Sequence, residues 1–95
     1  MKIKTLRSPT EGAIWERIVE PEEGDLAPEA ARLFLRLDFH ARDRERMDEL
    51  AAKARAGSLT QEEKHVADTY NRVAHLLALL QSKARRSLRA ARKNL

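Results

Sequence analysis

After Thr60 the chain contains neither proline nor glycine, so nothing in the sequence stops a helix that starts there before Lys93. Thr60 and Glu63 have the spacing of a capping box, in which the Thr hydroxyl accepts the Glu backbone N–H and the Glu carboxylate bonds back to the cap amide. Glu62 and Glu63 then occupy the first turn, where the positive end of the helix dipole favours acids. At roughly 1.5 Å per residue a helix over 61–93 is on the order of 50 Å long, whereas a compact domain of this length is about 30 Å across. One end must project, fray or lie on another molecule.

Charge singles out the C-terminal end. Beyond Asp68 there is no acid, while Arg72, Lys83, Arg85, Arg86, Arg89, Arg92 and Lys93 are basic. The rest of the chain carries 12 bases against 15 acids, so the formal net charge of +4 conceals a polarised molecule. In the middle of the helix Val66, Tyr70, Val73, Leu77, Leu80 and Ala84 recur in steps of three and four, the pattern of a buried stripe. Leu76 and Leu79 fall outside that stripe. A stretch as apolar all round as Val73 to Leu80 must be wrapped, either by its own fold as a central core helix or by a second chain in a seam on Leu76 and Leu79.

The remaining chain reads as three shorter helices. Residues 1–8 alternate basic and apolar side chains without an evident strand partner and are expected to form a flexible arm. Ser8 to Glu11 offers another capping-box spacing with Pro9 at the first helical position, predicting a helix over about 9–19 that buries Ile14, Trp15, Ile18 and Val19. The lesser alternative for Trp15, the sole tryptophan, is an exposed anchor in a partner's pocket. The stretch from Glu20 to Glu29 holds five acids and no base, broken by Pro21, Gly24 and Pro28. It is an acidic loop, either a solvated linker favouring the next helix N-terminus or, through Glu22, Glu23 and Asp25, a surface that meets a basic cleft. Leu26, Ala30, Leu33, Phe34 and Leu37 predict a second helix over about 28–37, with Arg32 and Arg36 elsewhere on its surface. A third, over about 41–56, ends at Gly57, with Phe39, Met47, Leu50, Ala51 and Ala54 inward. Within it Arg44 with Asp48, and Glu49 with Lys53, have i,i+4 spacing. The tight turn at Gly57 to Leu59 makes the third and fourth helices an antiparallel hairpin. The fold class expected is therefore all-α, about four helices in one small domain with a long basic C-terminal helix.

Composition narrows the chemistry. The chain has no Cys, hence no disulfide and no thiolate metal site, which fits a reducing cytosol. Its first residues lack the apolar core of a secretory signal, and no run approaches the roughly 18 apolar residues of a spanning helix. The expectation is a cytoplasmic protein with no membrane contact. His40, His65 and His75 lack the i,i+3 or i,i+4 spacing of a helical metal pair, and there is no glycine-rich phosphate loop and no G-x-S-x-G elbow. Neither a catalytic residue, a metal nor a cofactor is expected. A DNA-reading helix-turn-helix fits poorly, because Glu62 and Glu63 stand where base contacts would be made.

The stretch LRLDFHARDRERMDELAAKARAGSLTQEEKHVADTYNRVAHLLALLQSKARRSL, about Leu35 to Leu88, resembles a group of small bacterial proteins. In that group an "LDF" turn leads through a charged helix to "KARAG-LT-EE" and then to "V-HLLALLQSKAR"; Lys53 to Gly57 and Val73 to Arg85 are the most specific parts. His40 departs from the Ser or Pro more usual there, which puts the usual helix cap in question. Members are frequently encoded beside an HNH-type endonuclease, so the resemblance implies a partner or antitoxin of that nuclease, without assigning a residue to the task.

Three functions follow as expectations. A protein-binding antitoxin or accessory subunit would use the surplus apolar positions Leu76 and Leu79 with the acids Glu22, Glu23 and Asp25. A nucleic-acid-binding protein would neutralise phosphates with Lys83, Arg85, Arg86, Arg89, Arg92 and Lys93, though no aromatic residue stands among them to stack bases. A structural homodimer needs only the apolar stripe.

Overall fold

A computed structural model of the chain describes residues 8–93, and among them it has four helices and no strand. These are α1 (Glu11–Val19), α2 (Pro28–Arg36), α3 (Ala41–Arg55) and α4 (Gln61–Lys93). The arm expected over 1–8 lies, apart from Ser8, outside the described residues. No helix among them is long and apolar enough to cross a membrane.

The helix ends show which local signals prevailed. At α4 the capping box forms as its spacing predicts: the Glu63 amide donates to Thr60 Oγ1 at 3.1 Å and the Thr60 amide to Glu63 Oε1 at 3.0 Å. At α1 the cap is Thr10 instead of Ser8, its hydroxyl accepting from the Ala13 amide at 3.1 Å. A start at Pro9 would require Thr10 to be helical, and its φ of −80° with ψ of 160° is extended. His40 makes no side-chain bond to the first turn of α3, and neither does Ala27 to that of α2, where Pro28 removes one amide that would need a partner. Gly57, at φ 70°, reverses the chain after α3.

The i,i+4 pairs expected within α3 do not form, because each cation finds a partner at an end of the helix. Arg44 reaches back to Asp38 at 3.0 Å and to the Phe39 carbonyl, while Lys53 reaches across the turn to Glu63 at 2.6 Å. Glu63 is thus held on three sides. The Lys53 hydrogen bond, and behind it the Thr60 amide, keep its carboxyl below the usual carboxylate range.

The tertiary arrangement is a single layer with α4 as its spine. Each of α1, α2 and α3 packs on α4, and none packs on another. The chain climbs α4 in α1, from Glu11 beside Arg72 at 3.4 Å to the Glu20 carbonyl beside Lys83 at 3.2 Å. It then crosses α4 in the loop and descends in α2, from Leu26 at Ser87 to the Phe34 and Leu37 carbonyls at Gln81. Further down, Asp43 accepts from the Tyr70 hydroxyl at 2.6 Å, which raises the phenol's pKa, and Phe39 stands edge-on to the Tyr70 ring at 6.2 Å. The molecule measures 52 × 47 × 16 Å, and its thickness is little more than the 10–12 Å of one helix with side chains. Its radius of gyration is 17.2 Å, where a compact domain of this length has about 12 Å.

A single layer cannot enclose a core. Among the described residues the buried apolar side chains are Val19, Pro21, Ala31, Leu50 and Ala84, and the accessible surface of 7384 Å² exceeds by roughly 1,800 Å² the value for a compact monomer of this mass. Several positions read as inward are therefore open. Ile14 and Ile18 of α1, Leu33 of α2, Leu37 just beyond it and Val73 of α4 are exposed, as are Ala51 and Ala54 of α3. One neighbour covers one stripe of a helix, and each of α1 to α3 has only α4.

Candidate functional site

The most tightly built part of the molecule is where the α1–α2 loop crosses α4. Small residues make the crossing possible. Ala84 and Ser87 continue the apolar stripe of α4 with side chains short enough for the loop backbone to lie against them, and a Cβ on Gly24 would come within 2.8 Å of the Arg86 carbonyl oxygen. The Ser87 hydroxyl accepts the Leu26 amide at 3.1 Å and donates to the Lys83 carbonyl at 2.8 Å. Lys83 lies under the loop at 9% exposure, its ammonium bonded to the Glu20 carbonyl and paired with Asp25 Oδ1 at 2.8 Å. That hydrogen bond from Lys83 lowers the Asp25 pKa. Lys83 and Asp25 thus satisfy one another and fasten the loop.

The acids and bases expected to face different partners are neighbours here. Glu22 and Glu23 stay exposed, and Glu22 lines a shallow groove with Gly24, Arg86, Arg89 and Lys93. Arg85, Arg86, Arg89, Arg92 and Lys93 are all exposed, so the six expected phosphate contacts divide into five surface cations and one buried ion-paired lysine.

Below the crossing, one broad face of the layer is apolar. Val73, Leu76, Leu77 and Leu80 form the floor of an open depression of about 250 Å³, with Leu37 and Phe39 at its side. Leu37 thus lies beside Val73, and because α1 runs with α4 on the other flank, helix geometry turns Ile18 to the same face. Ile14 and Leu33 lie toward its outer edges. Leu76 belongs to this depression, while Leu79, also half-buried, is not among its lining residues. Val73, assigned to the buried stripe, is 50% exposed.

Trp15 is half-buried against Gly12, Asn71, Arg72 and His75, its indole N–H donating to Glu11 at 3.3 Å, so it packs on α4 with an edge in solvent. Gly12 lies against the His75 ring: a Cβ there would lie 3.1 Å from Nε2, an atom buried without a hydrogen-bond partner 3.7 Å from the Glu16 carboxylate.

Sequence reasoning passed over two participants. Ser87 was signalled by the stripe that ends in small residues, the pattern of close backbone approach. Arg32 carried no such signal: on α2 it reads as an ordinary surface residue, yet it lines a groove of about 480 Å³ with Pro28, Leu88, Arg89, Ala91 and Arg92. No group of three or more His, Asp or Glu side chains capable of holding a metal ion occurs among the described residues. The chain matches no protein-family model, no curated protein and no solved structure.

Proposed function

We propose that the chain is a non-enzymatic protein-binding module, the antitoxin or accessory partner of an HNH-type nuclease. The observation that carries this reading is the single layer with its uncovered apolar face. Domains bury their apolar faces by stacking at least two layers, and here a partner supplies the second. Val73, Leu76, Leu77 and Leu80 form the centre of the contact, with Ile18 and Leu37 extending it. Glu22 and Glu23 supply the charge that complements a basic nuclease surface, while Asp25, engaged by Lys83, shapes the loop that presents them. Such charges act mainly on the association rate and on register.

The α3–α4 pair belongs to the same reading as an antiparallel hairpin extending from the core of the contact, supported by the Lys53–Glu63 bridge near the turn and the Asp43–Tyr70 bond farther along. The basic end of α4 stays outside a contact with a basic nuclease.

The test is co-expression with the nuclease, purification through a tag on this chain, and a cleavage assay with added chain. Co-elution at low salt with reduced or altered cleavage supports the reading. Failure to co-elute, with cleavage unaffected by excess chain, rejects the nuclease as partner. If the chain alone then sediments as a dimer that Leu76→Glu dissociates, a second copy covers the face.

A further inference from the structure

The other feature without a counterpart in the fold is the cluster of arginines on the α2 flank of α4. Arg85, Arg89 and Arg92 follow one another at i, i+4 and i+7, so their side chains share one side of α4. Arg89 and Arg92 line a groove that Arg32 enters from α2, with Pro28, Leu88 and Ala91 as an apolar floor, and Arg85 stands one turn before Arg89, outside that lining. All four arginines are exposed, and none makes an ion pair among the described residues. Arg72, Lys83, Arg44, Arg46 and Lys53 are each paired with an acid. Glu22 lies with Arg86, Arg89 and Lys93 in the adjoining groove, so Arg86 and Lys93 face the acidic loop and only Arg89 is common to both.

We propose that the groove of Arg32, Arg89 and Arg92, with Arg85 on its approach, binds the phosphate backbone of double-stranded nucleic acid. Three features select this ligand. Arg85, Arg89 and Arg92 spread three positive charges over about 10 Å of the helix axis, the layout of a site for a row of phosphates. A duplex offers such a row of charge, one phosphate per 3.4 Å or so of its axis on each strand. The groove contains no aromatic side chain on which an unpaired base could stack, so it grips backbone and leaves the bases unread. The proposal stands apart from the protein contact: the apolar depression is lined by Val73, Leu76, Leu77 and Leu80, and none of these lines the arginine groove.

The experiment is fluorescence anisotropy of a labelled 20-base-pair duplex of arbitrary sequence with the full chain, titrated at several salt concentrations from 50 to 200 mM. Four phosphate contacts give a slope of log affinity against log salt of about −3.6, hence about a 150-fold loss across that fourfold range. Arg32→Gln lowers the slope by about one, shrinking the loss to about 40-fold, and Arg32→Lys, which keeps the charge, restores most of it. Arg55→Gln, at an exposed arginine on α3 outside the groove, leaves the curve unmoved. The proposal is overturned by absence of binding at 50 mM salt, by an Arg32→Gln slope equal to that of the unaltered chain, or by an equal effect of Arg55→Gln. It is likewise overturned if polyglutamate at equal charge concentration displaces the duplex, which would make the groove a site for acidic polypeptide.

Discussion

Val73→Asp separates the two roles that a side chain in the apolar depression can play. Half of Val73 remains in contact with water, so the fold gains only about half of the 1.5–3 kcal/mol that full burial of such a side chain brings, or about 1 kcal/mol. The substituted carboxylate can stay hydrated in the free chain, and Asp and Val differ little in helix propensity. The free protein should therefore lose about 1 kcal/mol, a fall of roughly 4–8 °C in Tm for a domain of this size. The complex should suffer more. It forgoes the remaining 1 kcal/mol of burial and must also strip water from a charge pressed against Leu76 and Leu80, a cost of a further few kcal/mol. Together these weaken binding by at least about 100-fold. Thermal melting by circular dichroism gives the first quantity and calorimetric titration with the nuclease, or sedimentation equilibrium of the chain alone, gives the second. Ala78→Asp supplies the control, since Ala78 is exposed on the same helix and outside the depression. A folded Val73→Asp variant that binds within tenfold of the parent, or an Ala78→Asp variant that binds equally poorly, would show that this face is not the contact.

Other substitutions probe the crossing of the loop over α4. Gly24→Ala should destabilise by about 1–3 kcal/mol, because its Cβ meets backbone atoms of Arg86 that no rotamer change can move, and an unchanged denaturation midpoint would refute so close a crossing. Lys83→Met keeps the buried stem but leaves the Glu20 carbonyl without its donor, for an expected loss of about 1–2 kcal/mol in urea unfolding; a variant as stable as the parent would mean the ammonium contributes nothing net. Acid should weaken the fold through Asp25 and Glu63, whose pKa values are depressed on folding. Their contribution is complete above the ordinary carboxylate range and is lost as pH falls through their lower folded values. Glu63→Gln should consequently be less stable than the parent at pH 7 and converge toward it near pH 3, and parallel stability curves would contradict that assignment.

Helix existence was legible because it rests on local chemistry: the Thr60–Glu63 box, the glycine at 57, and the long stretch without a breaker. What sequence periodicity does not encode is how many neighbours a helix has. An apolar stripe says that a face is to be covered and is silent about whether the cover belongs to the same chain, so Ile14, Ile18, Leu33 and Val73 read as core and stand open. Long-range pairings were hidden for a related reason. Asp25 with Lys83 and Leu26 with Ser87 join residues far apart in sequence, and they depend on the loop lying across α4 between Lys83 and Ser87, which no spacing rule expresses. Local ion-pair rules misplaced Arg44 and Lys53 because partners at the helix ends were in better reach than those one turn away.

Because α1, α2 and α3 touch only the spine, the protein is a set of branches on one trunk, and its unfolding need not be all-or-none. Loosening α3 removes its contacts near Glu63 and Tyr70 and leaves the Lys83–Ser87 crossing intact; loosening α1 spares the α3 contacts and, of the crossing, the Asp25 and Leu26 bonds. Native-state amide exchange should therefore divide into separate protection levels, slowest between Leu80 and Leu88, where the loop and α2 both cover α4, and fastest in α3. A bound partner that spans the branches would couple them, and its arrival would register as a slowing of exchange at helices it never touches.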